Sequence, residues 1–299
     1  MKLIHLSDIH LWRWEFLPHL LFGKRSVGMF SLLRGRARRF QRERLGEVVE
    51  KVRSLDADHV LITGDLTTTS LDGEFADARA GLAPLLMDPA RVTILPGNHD
   101  RYTLASRHNR AFEFTFGEFA PSETYPWLRW LDSETAILGL DPTRPHYSAR
   151  GKLPLMQLER AKVLLDVPQE RPKRLVVACH YPLTAPPCYQ HELASKRLVN
   201  AFDLQDWLVT LGPHLYCCGH VHAAWAFTPS QVPQQLCLNS GAPLLRDSTG
   251  LRSPGFLEID LDGRRVSVTH HAWSGSEWFT VPMILSTDFF YDRLGLSAS

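Results

Sequence analysis

Residues 91–100 read Arg-Val-Thr-Ile-Leu-Pro-Gly-Asn-His-Asp, a short apolar run that passes straight into Gly97-Asn98-His99-Asp100. A run of this length, rich in β-branched residues and closed by turn formers, reads as a buried strand. The same construction recurs along the chain. Lys2–Leu6 leads into Ser7-Asp8-Ile9-His10, and His59–Thr63 into Gly64-Asp65. Arg174–Cys179 leads into His180, and His214–Cys218 into Gly219-His220-Val221-His222. Thr135–Leu140 is a further strand of this kind. Helical spacing fills the intervals at Arg42–Leu55, Glu74–Met87, Leu155–Leu165 and Leu193–Leu211. Beyond residue 222 the pattern turns mostly to strands, at Gln235–Asn239, Gly255–Leu261 and Val266–His271. The class is α/β with a β-rich C-terminal part. With no linker, repeat or low-complexity stretch, the expected organisation is one domain over 1–299. It carries an insertion at 11–44 and a C-terminal tail at 279–299.

In open α/β sheets ligands bind at the carboxyl ends of strands, so these polar clusters are expected to converge on one rim. Together they offer three oxygen ligands (Asp8, Asp65, Asn98) and four imidazoles (His10, His180, His220, His222). A mixed nitrogen and oxygen set without thiolate suits Mn, Fe or Zn at a catalytic site rather than a structural zinc. Two neighbouring divalent ions need one shared carboxylate and about three further ligands each, which seven side chains satisfy. Any one of these residues alone would read as a helix cap or a satisfied polar group. All seven together would be destabilising without a cation. His5, His59, His214, His270 and His271 lie in strands outside the clusters and read as core or surface.

The ordered blocks Asp8-Ile9-His10, Gly64-Asp65, Gly97-Asn98-His99-Asp100, Cys179-His180 and Gly219-His220-Val221-His222 resemble those of the calcineurin-like metallophosphoesterases. The resemblance spans about residues 1–272. It implies a two-sheet β-sandwich flanked by helices, a four-layer αββα fold with two divalent ions at one edge. It also implies that Asp8, His10 and His222 hold one ion, that Asn98, His180 and His220 hold the other, and that Asp65 bridges them. A hydroxide bridging the ions would then attack phosphorus. His99 would protonate the leaving oxygen, with Asp100 orienting His99 through a hydrogen bond. The implied activity is metal-dependent hydrolysis of a phosphodiester or pyrophosphate bond. Its alternatives are a cyclic-nucleotide phosphodiesterase, which Gly64-Asp65-Leu66-Thr67 also resembles, and a non-catalytic binding scaffold of the same fold.

The chain has 299 residues and a formal net charge of only +1, which gives no global reason to expect a nucleic-acid or membrane binder. No run of about 18 apolar residues could span a bilayer. The N-terminus lacks the apolar stretch of a secretory signal, and five cysteines form no C-x-x-C pair. A reducing cytoplasm is therefore expected, with cysteines mostly packed as small hydrophobes. The pair Cys217-Cys218 is read as packing, and Asn239-Ser240-Gly241 as a turn.

The average conceals one segment. Residues 11–44 hold nine basic and two acidic side chains, a local charge of +7 against −6 for the remainder. Leu11, Trp12, Trp14, Phe16, Leu17, Leu20, Leu21, Phe22, Val27, Met29, Phe30, Leu32 and Leu33 lie beside the arginines. The segment directly follows the candidate ligands Asp8 and His10, so it starts at the rim. Three readings compete: a cap that shapes the pocket, an amphipathic contact with the inner membrane surface, and a nucleic-acid track. The first two together point to a substrate with phosphate and acyl chains, such as UDP-diacylglucosamine, with Arg34, Arg38 and Arg39 binding phosphate. Nucleic acid is the least favoured partner, and the oligomeric state is left open.

Overall fold

The computed structural model describes residues 1–15, 24–146, 148–166, 171–247, 249–250 and 252–290. Among these residues the strands run, in chain order, β1 (Lys2–Leu6), β2 (His59–Ile62), β3 (Val92–Ile94), β4 (Trp127–Trp130), β5 (Thr135–Leu140) and β6 (Arg174–Cys179). They continue with β7 (His214–Cys218), β8 (Ala224–Phe227), β9 (Gln235–Ser240), β10 (Gly255–Asp262), β11 (Arg265–Trp273) and β12 (Trp278–Asp288). One sheet has the order β12-β11-β10-β1-β2-β3 and the other β4-β5-β6-β7-β9-β8. The strands that carry the motif clusters are paired in parallel, β1 with β2, β2 with β3 and β6 with β7, so their carboxyl ends share one edge.

Alternation along each strand sorts side chains into layers. Leu3 and Leu61 point between the sheets, where they meet Ile137, Val176, Ala178, Leu215 and Cys217. Their neighbours Ile4, Val60 and Ile62 face the other way, against Val48, Val49 and Val52 of the helix Leu45–Ser54 and Phe75 and Ala78 of the helix Asp72–Leu82. On the second sheet, Val177, Cys179, Tyr216 and Cys218 pack on Leu158, Ala161, Leu204 and Leu208 of the outer helices Leu155–Leu164 and Ala201–Leu208. The result is helix, sheet, sheet, helix, the expected four layers. Cys217 and Cys218 are both buried, one in each layer, and Cys188 is the exposed cysteine among five free thiols.

The structure corrects several sequence-level expectations. The helical stretch expected over Leu193–Leu211 is two helices, Gln190–Lys196 and Ala201–Leu208, followed by a 3-10 turn. The chain leaves helical geometry at Arg197 (ψ 160°), because Asn200 is needed elsewhere: its side-chain amide pairs with both backbone groups of Leu153. The tail expected from residue 279 is, up to Asp288, part of the edge strand β12, paired antiparallel with β11. Phe289 and Phe290 then enter the core between the sheets. Residues 291–299 lie outside the described residues, as do Phe16, Leu17, Leu20, Leu21 and Phe22 of the insertion. Strands β4 and β8 and the short helices Leu104–His108 and Ala111–Phe116 carried too few periodic residues to be read from sequence.

Candidate metal centre

The motif loops converge as expected. Ligand atoms of Asp8, His10, Asp65 and His222 lie within 4.8 Å of one another, and so do those of Asp65, His180 and His220. Asp65 belongs to both groups. Asn98 joins the second through its Oδ1, 3.2 Å from His180 Nε2. All seven expected ligands therefore stand at one site. Asp8, His10, Asp65, Asn98, His180 and His220 are buried, and the His222 side chain is 16% exposed.

Backbone conformation turns these side chains inward. Asp8, His10, Asp65, His220 and His222 all have positive φ, between 51° and 73°. A non-glycine residue held there costs on the order of 1–3 kcal/mol and persists only where the surroundings fix it. The surroundings are loops packed backbone to backbone. A Cβ on Gly97 would lie 2.1 Å from Asp65 Oδ1 and 2.3 Å from its backbone nitrogen, so only glycine lets the Asn98 loop approach the shared carboxylate. Asp8 accepts hydrogen bonds from the His220 N–H at 2.8 and 3.1 Å, which ties the first motif to the last.

The histidines are oriented by carbonyl oxygens. His180 Nδ1 lies 2.8 Å from Thr63 O and His10 Nδ1 3.3 Å from Thr67 O, which leaves each Nε2 facing inward. His220 is reversed: its Nε2 meets Lys196 O at 3.1 Å and its Nδ1 faces inward, 3.2 Å from His180 Nε2. Lys196 closes the helix whose early end the sequence did not show, and its spare carbonyl fixes the tautomer of a motif histidine. His5, His59, His214 and His271 pair instead with the side chains of Thr63, Thr93, Gln235 and Glu258.

This arrangement fits cations. His10 Nε2 and His222 Nε2 confront each other at 2.9 Å, a pairing in which one nitrogen must lack a proton. Asp65 accepts from the His99 N–H through Oδ1 at 2.7 Å, while its buried Oδ2 has no hydrogen-bond partner among the described residues. That oxygen lies 3.6 Å from His10 Nε2 and 3.2 Å from His180 Nε2. Burial works against charge on Asp65, yet His180, His99 and His10 outweigh it and hold the carboxyl well below its ordinary value. Burial likewise opposes a charged His180, but the Asp65 carboxylate lifts that imidazole to about 9. A proton on His180 and a divalent ion are alternative answers to the same buried carboxylate. Burial, above all, lowers His10, His220 and His222, leaving them neutral as metal ligands must be.

Two expectations around the ligands change. Asp100 makes its hydrogen bonds elsewhere than on the His99 ring. Its Oδ1 accepts from the Thr67 N–H and hydroxyl at 2.9 and 3.0 Å and its Oδ2 from the Gly97 N–H at 2.9 Å, so it clamps the Asp65 and Asn98 loops together. His99 is oriented by Thr68 O, 2.6 Å from its Nδ1. Arg34, Arg38 and Arg39, the expected phosphate binders, are exposed. The arginine that enters is Arg36, whose Nη2 lies 3.2 Å from His99 Nε2 and 3.3 Å from His10 Nδ1. Burial first, then Arg36, pushes His99 down to about 3. Sequence gave no reason to single out Arg36 among the clustered arginines, because a kink selects it. Gly35, at φ 114°, breaks the helix between Lys24–Ser31 and Ala37–Arg39. Asn239 was also unassigned beyond its turn. It donates to Gly219 O at 2.6 Å and so braces the Gly219–His222 loop.

The insertion seats on the rim. Arg25 donates to Ser70 O, Gly28 packs on Thr69 and Tyr102, and Phe40 bridges to Leu245. Tyr102 in turn stacks on His99, with ring centroids 5.3 Å apart. Its other side leaves Val27, Phe30 and Leu33 between 52% and 67% exposed, with the Arg34 guanidinium 4.5 Å over the Phe30 ring. A groove of about 900 Å³ between the helices Asp72–Leu82 and Ala111–Phe116 contains none of the ligands.

The family model of the calcineurin-like phosphoesterases matches residues 1–224. No curated protein sequence matches the chain. Among solved structures, a dimetal phosphatase from Danio rerio is 14% identical with a TM-score of 0.58, over 94% of this chain and 98% of that one. A purple acid phosphatase from yellow lupin, Lupinus luteus, is 13% identical with a TM-score of 0.62, over 95% of this chain and 53% of that one. GAP50, described as the anchor in the inner membrane complex of Plasmodium, is 10% identical with a TM-score of 0.54, over 98% of this chain and 91% of that one. These likenesses show a shared fold, and the fold serves both phosphatases and an anchor.

Proposed function

The chain belongs to the calcineurin-like phosphoesterase family of metal-dependent phosphoester hydrolases, and on that premise we propose that it cleaves a phosphodiester or pyrophosphate bond in an amphipathic, lipid-linked substrate. The observation that carries the hydrolytic reading is the buried, unpartnered Asp65 Oδ2 between two groups of inward-facing ligands. Asp8, His10 and His222 would hold one ion, Asn98, His180 and His220 the other, and Asp65 would be shared. When bound, the two ions supply a water of lowered pKa and neutralise charge on the phosphoryl oxygens.

The chain's own groups do the rest. Carbonyls of Thr63, Thr67 and Lys196 keep His180, His10 and His220 in the tautomers that present a lone pair inward. Thr68 O holds His99 through Nδ1, so any proton His99 gives the leaving oxygen leaves from Nε2. Asp100 keeps the loops of Asp65 and Asn98 in register. The lipid part of the reading is supported by the exposed Val27, Phe30 and Leu33 beside the exposed Arg34, Arg38 and Arg39, a pairing suited to an anionic membrane surface. No helix among the described residues is long and apolar enough to cross a membrane, so contact of this kind would be peripheral.

Metal analysis of the purified chain, followed by a substrate panel with Mn²⁺, tests this. A bis-aryl phosphodiester, cyclic nucleotides and a UDP-lipid should be compared, with the UDP-lipid expected to be hydrolysed best. Preference for cyclic nucleotides would move the assignment to a cyclic-nucleotide phosphodiesterase. A chain that holds no metal and stays inert with added Mn²⁺ would leave it a binding scaffold.

A further inference from the structure

Arg36 is an unusual neighbour for a site that gathers divalent ions. Its guanidinium is held against the ligand cluster by the turn at Gly35, and it stacks loosely on Phe40 at 5.8 Å. Because His99 Nδ1 is committed to Thr68 O, His99 Nε2 is an acceptor, and Arg36 donates to it through Nη2. The buried Arg36 Nε–H has no partner among the described residues. A third positive group beside two divalent ions is repelled by them unless an anion lies between. The insertion therefore brings to the rim a cation with an unmet donor, placed beside the residue that faces the leaving oxygen.

We propose that Arg36 binds a phosphate on the leaving-group side, so that the insertion selects substrates whose leaving group is itself a phosphate, the P–O–P linkage, over diesters with an alcohol leaving group. The inference rests on the reading of His99 as facing the leaving oxygen. In the reaction, the oxygen of water bonds to the attacked phosphorus, and the bridging oxygen departs with the bonding pair. The two hydrogens of water are shared between the two phosphate products. An alcohol leaves as an alkoxide and depends on protonation. A phosphate leaves as a stable anion that depends on charge compensation, which a guanidinium gives through paired N–H donors. On binding such a substrate, Arg36 directs Nε–H and a terminal N–H to the departing phosphate, and His99 Nε2 is released from it.

The test compares wild type, Arg36→Ala and Arg36→Lys in the Mn²⁺-loaded full chain. Both variants should retain the metal content and melting temperature of wild type. For Arg36→Ala, kcat/KM should fall about 100-fold on UDP-glucose and only about 5-fold on bis(p-nitrophenyl) phosphate. Arg36→Lys should recover part of the difference, since it keeps the charge and loses the fork. Binding is read separately by calorimetry: affinity for α,β-methylene-ADP should drop at least about tenfold in Arg36→Ala, and affinity for AMP should drop less. An equal loss on both substrates, loss of metal in Arg36→Ala, or unchanged α,β-methylene-ADP affinity would overturn the proposal. If wild type turns over neither substrate but the binding difference holds, the hydrolytic reading fails and the role of Arg36 stands.

Discussion

The ligand rim and the insertion above it are built on opposite terms. At the rim, Asp8, His10, Asp65, His220 and His222 sit in strained backbone conformations, and nearly every polar atom has a fixed partner from another loop. In the insertion, short helices are held by a few anchors at Arg25, Gly28 and Phe40, and apolar side chains stand in solvent. The rim tolerates strain because two sheets and five loops over-determine it. The insertion leaves Val27, Phe30 and Leu33 exposed among the described residues. On the proposed function, chemistry would reside where geometry cannot drift, and selection of the substrate where the surface is still open to contact.

Removing the shared carboxylate would strike the rim hardest. Asp65→Ala should lose both ions, with metal content by elemental analysis and turnover each falling to background. His99→Ala should keep the ions yet lose turnover on a poor leaving group by about 10²–10⁴-fold, the usual worth of a general acid. Full activity in that variant would remove His99 from the mechanism. On the insertion, Phe30→Asp combined with Leu33→Asp should weaken cosedimentation with anionic phospholipid vesicles by roughly tenfold or more, from the lost apolar burial alone. Unchanged binding would leave the outward face without its proposed role.

The gentlest effect separates the rim histidines from those of the sheets. His59, buried against Thr93, is pushed down to about 3, chiefly by burial and then by Arg129 and Arg91. Between about pH 6.5 and 3 the unfolded chain binds a proton at this position that the folded chain refuses. Stability from His59 is therefore complete above pH 6.5 and is lost as the pH falls, by about 1.4 kcal/mol per pH unit. In denaturant titrations of the chain, His59→Gln should flatten the acid slope by that amount. An unaltered slope would show that other groups set it.

Several of these features were legible in the sequence. Alternating apolar strands ending in Asp, His and Asn clusters determined the α/β class and the seven candidate ligands, because side-chain period and residue chemistry are local properties of the chain; the four-layer sandwich followed from the family resemblance of those clusters. The early end of the helix at Lys196 was not legible, since it answers to Leu153 and His220, both distant in sequence. The role of Asp100 was misplaced because adjacency to His99 in sequence does not decide which way a carboxylate points. Among the clustered arginines of the insertion, sequence supplied the charge but not its direction. Only the tertiary structure, through a positive φ at Gly35 that no periodicity reveals, decided that Arg36 faces the candidate ligands while Arg34, Arg38 and Arg39 stay exposed.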